Sequence, residues 1–325
     1  MASYVGVDLG ATNVRAVVGD ERARILGRAR RSTPQGPTGI AVTEAILGVV
    51  RDACADAGVD PADAVAAGVA SIGPLDLAKG LIDGPANLPE DVGQVPITGP
   101  LSELLGTDRI HLHNDTVAGV IGERFNSDRN PDDMVYLTIS SGIGAGVCVD
   151  GHVLDGWDGN AGEIGHNIVD HDGAMTCGCG RDGHWEAYCS GENIPEYARH
   201  LYREHDVETA LRLDDDLGAA DVFDAHGDDP LADLVVDRVQ QWNAIGITNL
   251  VHAYAPLVVF VGGAVALNNP ELVVDGVQET LTDTVFTNVP DVKLTSLGDD
   301  VVVKGALASA LTGGTGDSSR IRSAD

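Results

Sequence analysis

Two cysteines one residue apart, Cys177 and Cys179, lie among histidines and acids in the run AGEIGHNIVDHDGAMTCGCGRDGHWE, which ends at Glu186. Glu163, His166, His171, His184 and Glu186 complete the set within about two dozen residues. Thiolates and imidazoles in this density suit a closed tetrahedral metal site, and soft sulfur selects Zn²⁺ over Mg²⁺. Cys177, Cys179 and His184 with one upstream histidine would fill four positions. A closed site implies a structural ion that holds the flanking carboxylates rigid. The alternative is chance clustering in a chain with ten histidines.

A second chemistry sits in two glycine-rich turns. In DLGATNVRA, a turn of Gly, Thr and Asn exposes backbone N–H groups and small polar side chains, a concavity suited to phosphate oxygens. Asp8, at the end of the preceding apolar run, could hold a hydrated Mg²⁺ beside them. SSGIGAG, from Ser140 to Gly146, offers the same chemistry with more glycine. It lacks the Lys-Ser/Thr of a P-loop, and a strand rather than a helix follows, so it is no dinucleotide fingerprint either. Each turn alone can be ordinary hairpin structure. Two in one chain point to a phosphate clamp. Asp115 follows His113-Asn114 at a strand end, where a helix begins. It can be a helix N-cap. It can equally be the general base that takes a proton from an attacking hydroxyl, as phosphoryl transfer requires.

The elements that must position these groups alternate strand and helix. Strands are predicted over Val5–Asp8, Val14–Val18 and Ile25–Ala29, then a helix over Thr38–Ala57 ending at Gly58. A short strand at Val65–Val69 precedes a Gly- and Pro-rich stretch, Ser71–Pro100, which reads as loop or irregular hairpin. Ile110–His113 is a strand and Thr116–Phe125 a helix. Val135–Ile139 and Val147–Val149 flank the second turn and repeat the opening plan of the chain. Such a duplication predicts an α/β fold of two related halves facing each other across a cleft. Further on, Leu231–Tyr254 is a long helix and Leu257–Val261 a buried strand before Gly262-Gly263. Val301–Leu311 reads as a last strand edge and helix. His205–Pro230 is acidic surface, and Thr312–Asp325 a disordered tail.

Composition narrows the partners. The 325 residues favour two domains. Lys79, Lys293 and Lys304 are the only lysines, and the formal net charge is −30. The acids are spread along the chain, as in Asp214-Asp215-Asp216 and Asp299-Asp300. Like charge of this density strains a compact state, and salt near 1 M screens it to about 3 Å. The charge therefore points to a salt-loaded cytoplasm, that of a halophile, with a merely acidic mesophilic protein as the alternative. It offers no basic face to nucleic acid. No run of about 18 apolar residues appears, so neither signal peptide nor membrane span is predicted. Five cysteines in a chain this long suggest no disulfide framework, and Cys54, Cys148 and Cys189 read as packed thiols of a reducing cytoplasm.

DLGATNVRA, HNDTVAGVIGE, SSGIGAGV, GEIGHNIVD, CGCGRDGHWEAYCSG and NLVHAYAPLVVFVGGAV occur in the order seen in ROK-family sugar kinases, which this chain resembles from Val5 to about Leu311. The resemblance implies two actin-like (ribonuclease H-like) α/β domains, 1–113 with about 300–311, and 114–299 with the metal segment, hinged near 113 and 300. It implies ATP-dependent phosphorylation of a hexose, glucose first, with ATP, Mg²⁺ and structural Zn²⁺. Asp115 would deprotonate the sugar 6-hydroxyl. Asn87, Asn114, Asp115, Glu163, His166 and Glu186 would bind sugar hydroxyls. Gly10, Thr12 and Asn13, with Ser141, Gly142 and Gly144, would hold the phosphates, with Asp8 beside them, and Gly262 and Gly263 would lie near the adenosine. His166, Cys177, Cys179 and His184 would hold the zinc, in a homodimer or homotetramer. The family usually has cysteine where His184 stands, and His171 is a spare ligand. Ser141 replaces a common threonine but keeps the hydroxyl. Glu90-Asp91-Val92 stands where an aromatic residue often packs near the sugar.

Rival readings are a kinase for fructose, mannose or an N-acetylhexosamine, a non-catalytic sugar- or metal-binding protein, and a sugar-sensing repressor. The acidity and a phosphate turn that begins near residue 5 both disfavour a repressor.

Overall fold

A computed structural model describes residues 2–85, 87–157 and 159–322. Its contacts divide the chain into two compact units: one running to Met134 with Gly146–Gly162 and everything from Asp299 on, the other comprising Val135–Ala145 and Glu163–Gly298.

The first unit is built on a five-stranded sheet of β1 (Ser3–Leu9), β2 (Asn13–Gly19), β3 (Ile25–Ser32), β4 (Ala64–Ser71) and β8 (Ile110–Asn114), in the order β3-β2-β1-β4-β8. The β1–β2 and β2–β3 pairs are antiparallel; β1–β4 and β4–β8 are parallel. Alternation splits the central strands between two faces. Val5, Val7, Leu9, Val14, Ala16 and Val18 join the core with α1 (Gly39–Ala57). Val17 and Ala70 face the other way, onto α10 (Val301–Thr312). Helix α10 is made of small residues, VVVKGALASALT, and lies almost on the sheet backbone. A Cβ at Gly6 would come within 2.7 Å of the Leu307 nitrogen, and one at Gly305 would strike the Ala118 carbonyl of α3 (Asp115–Asn126). This close fit fixes the helix that begins at Asp115, and α3 accordingly groups with the first unit; the expected boundary at 113/114 falls inside it.

Ser71–Pro100, expected to be irregular, carries a three-stranded antiparallel sheet of β5 (Leu75–Asp76), β6 (Leu81–Asp83) and β7 (Gln94–Pro96), followed by α2 (Thr98–Leu105). Its apolar positions Leu75, Ile82, Leu88, Val92, Val95 and Ile97 are buried, a spacing too irregular to show as a period.

The second sheet runs β11-β10-β9-β12-β13, formed by β9 (Met134–Ile139), β10 (Ile143–Val149), β11 (His152–Val153), β12 (Val258–Gly262) and β13 (Asp291–Leu294). Its order matches the first sheet strand for strand, which gives the duplication seen in the two glycine turns a structural form. The second unit holds α4 (Glu186–Cys189), α5 (Ile194–Glu204), α6 (Ala219–Asp224), α7 (Pro230–Tyr254), α8 (Ala264–Asn268) and α9 (Gly276–Thr284). Asp229 starts α7 by accepting from Leu231 N and Ala232 N, so one end of the expected acidic surface is a buried cap.

Val301–Leu311 is helix throughout, with no strand edge. Beyond it, the stretch expected as a disordered tail is packed through α11 (Ser319–Arg322). Arg124, 3% exposed, donates to Gly151 O and Thr315 O, and Asn130 Nδ2 donates to Asp317 Oδ1 at 3.0 Å. Residues 323–325 of that expectation lie outside the described residues. No helix of the described residues is long and apolar enough to cross a membrane.

Candidate functional site

In the first unit, strand β8 delivers Asn114 and Asp115 to the N-terminus of α3. The cap is Asn114, not Asp115: Asn114 Oδ1 accepts from Thr116 N at 2.9 Å and Thr116 Oγ1 at 2.8 Å. Asp115 is the first helical residue, and its Oδ1 accepts from Thr116 N at 2.8 Å. Behind it, His113 Nε2 lies 2.8 Å from Ser309 Oγ of α10, so the strand end is pinned from the same helix that packs α3.

The first glycine turn is bound into the edge of its sheet. Gly10 N donates to Asn13 O, and Thr33 Oγ1 donates to Gly10 O at 2.7 Å. Thr12 is exposed and its hydroxyl accepts from Asn13 Nδ2, while Asn13 Oδ1 accepts from Arg30 Nε. Asp8 is 8% exposed, and its Oδ2 receives Arg15 Nε at 2.9 Å and Nη2 at 2.5 Å. Burial pushes its carboxyl above the ordinary range, with Arg15 opposing. Any contact of Asp8 with Mg²⁺ has to be made beside that ion pair or in exchange for it. Asn87 is exposed on the loop before β7.

The second unit brings the four expected metal ligands together. The donor atoms of His166, Cys177, Cys179 and His184 all lie within 4.8 Å of one another. Cys177 Sγ is 3.7 Å from His166 Nδ1, and Cys179 Sγ is 3.3 Å from His184 Nδ1. A tetrahedron with bonds of about 2.3 Å to sulfur and about 2.0 Å to nitrogen has S···N edges of roughly 3.5 Å. Two thiols and two imidazoles at this spacing fit a tetrahedral ion. His184 takes the position left open in the sequence, and the exposed His171 is not in the cluster. Burial pushes the Cys177 thiol up to about 12, so a bound cation must displace its proton. His166 is two-sided: Nδ1 faces sulfur, and Nε2 lies 3.9 Å from Glu163 Oε2.

Local structure explains the cluster. The Cys177 carbonyl accepts from Gly180 N and its amide donates to Arg181 O, a tight turn that aims both thiols one way. Asp170 Oδ2 accepts from Tyr188 Oη and Ala174 N, and Met175 N donates to Tyr188 Oη at 3.0 Å. The loop is thereby tied to α4. Trp185, fully buried, enters α7 over Gly246 and donates from Nε1 to Asn243 Oδ1 at 2.9 Å.

The second glycine turn lies against the same short helix. Gly191 N donates to Ser140 O at 2.7 Å, and Ile143 N donates to Glu186 Oε2 at 2.8 Å. A cavity of about 480 Å³ opens beside it, lined by Ser140, Ser141, Gly191, Phe223, Ala264 and Asn268 among others. That volume is in the range of small-molecule sites. Gly262 ends β12 and Gly263 caps α8, just before this lining. A Cβ at Gly262 would meet Tyr136 Oη at 2.5 Å, and Gly263 has φ +90°, so the pair is required by the close passage of β12 along β9. Gly144 continues into β10. A larger cavity of about 740 Å³ runs along α7 and α9 and contains none of the expected residues.

Reading the sequence missed Arg15 on Asp8, the Trp185–Asn243 pair, and Phe223 and Asn268 in the cavity wall. A glycine inside the long helix α7 was the available signal for the tryptophan contact.

The model of the ROK family matches residues 4–312. A glucokinase of Aeropyrum pernix is 35% identical over 321 residues, covering 95% of this chain and 97% of that protein. The crystal structure of a ROK hexokinase from Thermus thermophilus superposes with a TM-score of 0.79 at 30% identity, over 95% of this chain and 97% of that one. A ROK family glucokinase from Streptomyces griseus, solved in complex with glucose and AMPPNP, gives a TM-score of 0.74 at 27% identity over 95% and 99%. The fold is the actin-like, ribonuclease H-like α/β fold of these kinases, and the chain belongs to the ROK family.

Proposed function

We propose that this chain is an ATP-dependent glucokinase, transferring the γ-phosphoryl group of Mg-ATP to the 6-hydroxyl of glucose. The observation that carries the reading is Asp115 at the start of α3, held by the Thr116 amide at 2.8 Å and preceded by the capping Asn114. Asp115 takes the hydroxyl proton as the oxygen attacks phosphorus. Asn87, Asn114, Glu163, His166 and Glu186 bind the remaining hydroxyls. The Gly10–Asn13 turn and Ser141, Gly142 and Gly144 grip the phosphates, and the cavity beside Ser141 takes the nucleoside. Catalysis of this kind is mostly positioning and charge neutralisation, the latter supplied by Mg²⁺ when bound.

His166, Cys177, Cys179 and His184 would hold Zn²⁺, whose chemistry there is cross-linking: four loop residues become one rigid unit. Nδ1 of His166 then serves the metal, which leaves Nε2 for a sugar hydroxyl. The same reading includes a cytoplasmic protein of a salt-loaded cell and assembly as a homodimer or homotetramer.

The test is purified protein with Mg-ATP at high salt and a panel of glucose, fructose, mannose and N-acetylhexosamines. Glucose 6-phosphate formed at the highest kcat/KM is expected. Turnover of another hexose alone would move the assignment within the kinases, and ATP left unconsumed with every sugar would refute it.

A further inference from the structure

We propose that Glu186 is a positioning residue for the nucleotide, setting the Ser141–Gly142–Ile143 turn with the carboxylate that also borders the metal loop. The inference rests on reading that turn as a phosphate grip. It gives Glu186 a duty separate from the sugar contact implied by family resemblance.

The geometry is local to one unit. Glu186 Oε2 accepts from Ile143 N at 2.8 Å, a part-buried carboxylate–amide bond beside the buried Ile143 side chain. Glu186 Oε1 lies 3.6 Å from Cys177 Sγ. The residues that follow α4 hold the turn by its carbonyls: Gly191 N donates to Ser140 O at 2.7 Å and Glu192 N to Ser141 O at 3.3 Å. The segment Glu186–Glu192, with α4 at its start, thus fixes an amide and two carbonyls of the turn. Four residues cannot hold a helical shape unaided. Helix α4 is held instead by Trp185 in α7 and by Tyr188 in the metal loop.

Gly142 supplies an independent sign that the carboxylate and the turn are fitted to each other. A Cβ there would come within 2.7 Å of Glu186 Oε2 and 3.5 Å of Glu186 Cδ. A methyl at 142 would therefore press on the carboxylate end of Glu186, which would have to shift from its place at Ile143 N. A turn that binds phosphate through its amides works only if those amides already point the right way. Without the Glu186 anchor, the ordering has to be supplied by the nucleotide, and affinity falls.

The experiment measures Mg-ADP binding by calorimetry without sugar. Glu186→Ala is expected to weaken binding about tenfold or more, the scale of a lost charge-assisted bond. Glu186→Gln retains an acceptor for Ile143 N and is expected to stay within about threefold of the wild type. Gly142→Ala is expected to weaken binding in the wild-type background and to cost little more once Glu186→Ala has removed the opposing oxygen, a non-additivity diagnostic of direct contact. A residue that served only the sugar would lower glucose affinity in both Glu186 variants and leave Mg-ADP unchanged. Unchanged Mg-ADP affinity in Glu186→Ala, or full additivity with Gly142→Ala, overturns the proposal alone. Wild-type protein that does not bind Mg-ADP overturns the reading of the turn and the proposal with it.

Discussion

Gly246→Ala is the most informative single change outside the chemistry. In an open helix interior this substitution gains up to about 1 kcal/mol of helix propensity. Here the new methyl would sit against Cδ2, Cε2 and Cε3 of the Trp185 ring, which is fully buried and has nowhere to retreat. Overpacking of this kind costs about 1–3 kcal/mol. Moving the ring also breaks the 2.9 Å bond from Trp185 Nε1 to Asn243 Oδ1, both residues being fully buried. Leaving buried groups unpaired costs about 1–3 kcal/mol more. Subtracting the propensity gain leaves a net loss near 3 kcal/mol, or roughly 6–12 °C in melting temperature for a unit of this size. Scanning calorimetry of the wild type and the variant under one buffer reads it directly. A variant that melts at or above the wild type would refute the packing argument, showing that the indole is not wedged against α7.

Other consequences can be checked in parallel. Asp229 accepts from Leu231 N, Ala232 N and Ala210 N, so Asp229→Ala should cost about 2 kcal/mol in denaturant unfolding. Burial raises the Asp229 carboxyl, but hydrogen bonds from Ala210, Ala232, Thr209 and Leu231 outweigh it and hold it below its usual value. Its contribution is therefore complete above the unfolded value, about 3.9, and disappears as pH falls through the folded one; the stability gap to Asp229→Ala should close in acid. Metal analysis of the wild type should find one zinc per chain. His184→Ala should bind it more weakly and His171→Ala should not, and a wild type without metal after refolding in zinc would remove the site. With a net charge of −30, the melting temperature should rise from low salt to about 1 M as repulsion is screened, and a fall would contradict the reading of the acidity.

The parts legible in the sequence are those fixed by local chemistry. Both glycine turns, the strands around them and the Cys/His cluster could be read because turn residues and thiol spacing act over a few positions. The second glycine turn and the strands β9 and β10 showed the duplication, and the matching sheet orders are its structural form. What stayed hidden depends on residues far apart in the chain. Helix α10 read partly as strand because Val301-Val302-Val303 favours strands locally, and packing on Gly6 of the sheet and, through Gly305, on Ala118 of α3 overrides that preference. The segment after Thr312 looked disordered by composition, yet Arg124 and Asn130 secure its backbone and Asp317. Asp8 looked open to a metal until Arg15, seven residues on and directly across the hairpin, was seen to meet it. Asp115 looked able to cap its own helix, whereas Asn114 does so and leaves Asp115 one position further in.

The claim at the centre is that Asp115 takes the proton from the sugar hydroxyl, and Asp115→Asn tests it. The change keeps size and a Thr116 N–H acceptor while removing basicity. Steady-state turnover with Mg-ATP and glucose should fall by about 10²–10⁴-fold, the contribution of a positioned general base, with glucose affinity by calorimetry within a few fold of the wild type. Near-normal kcat in folded Asp115→Asn protein would contradict the account.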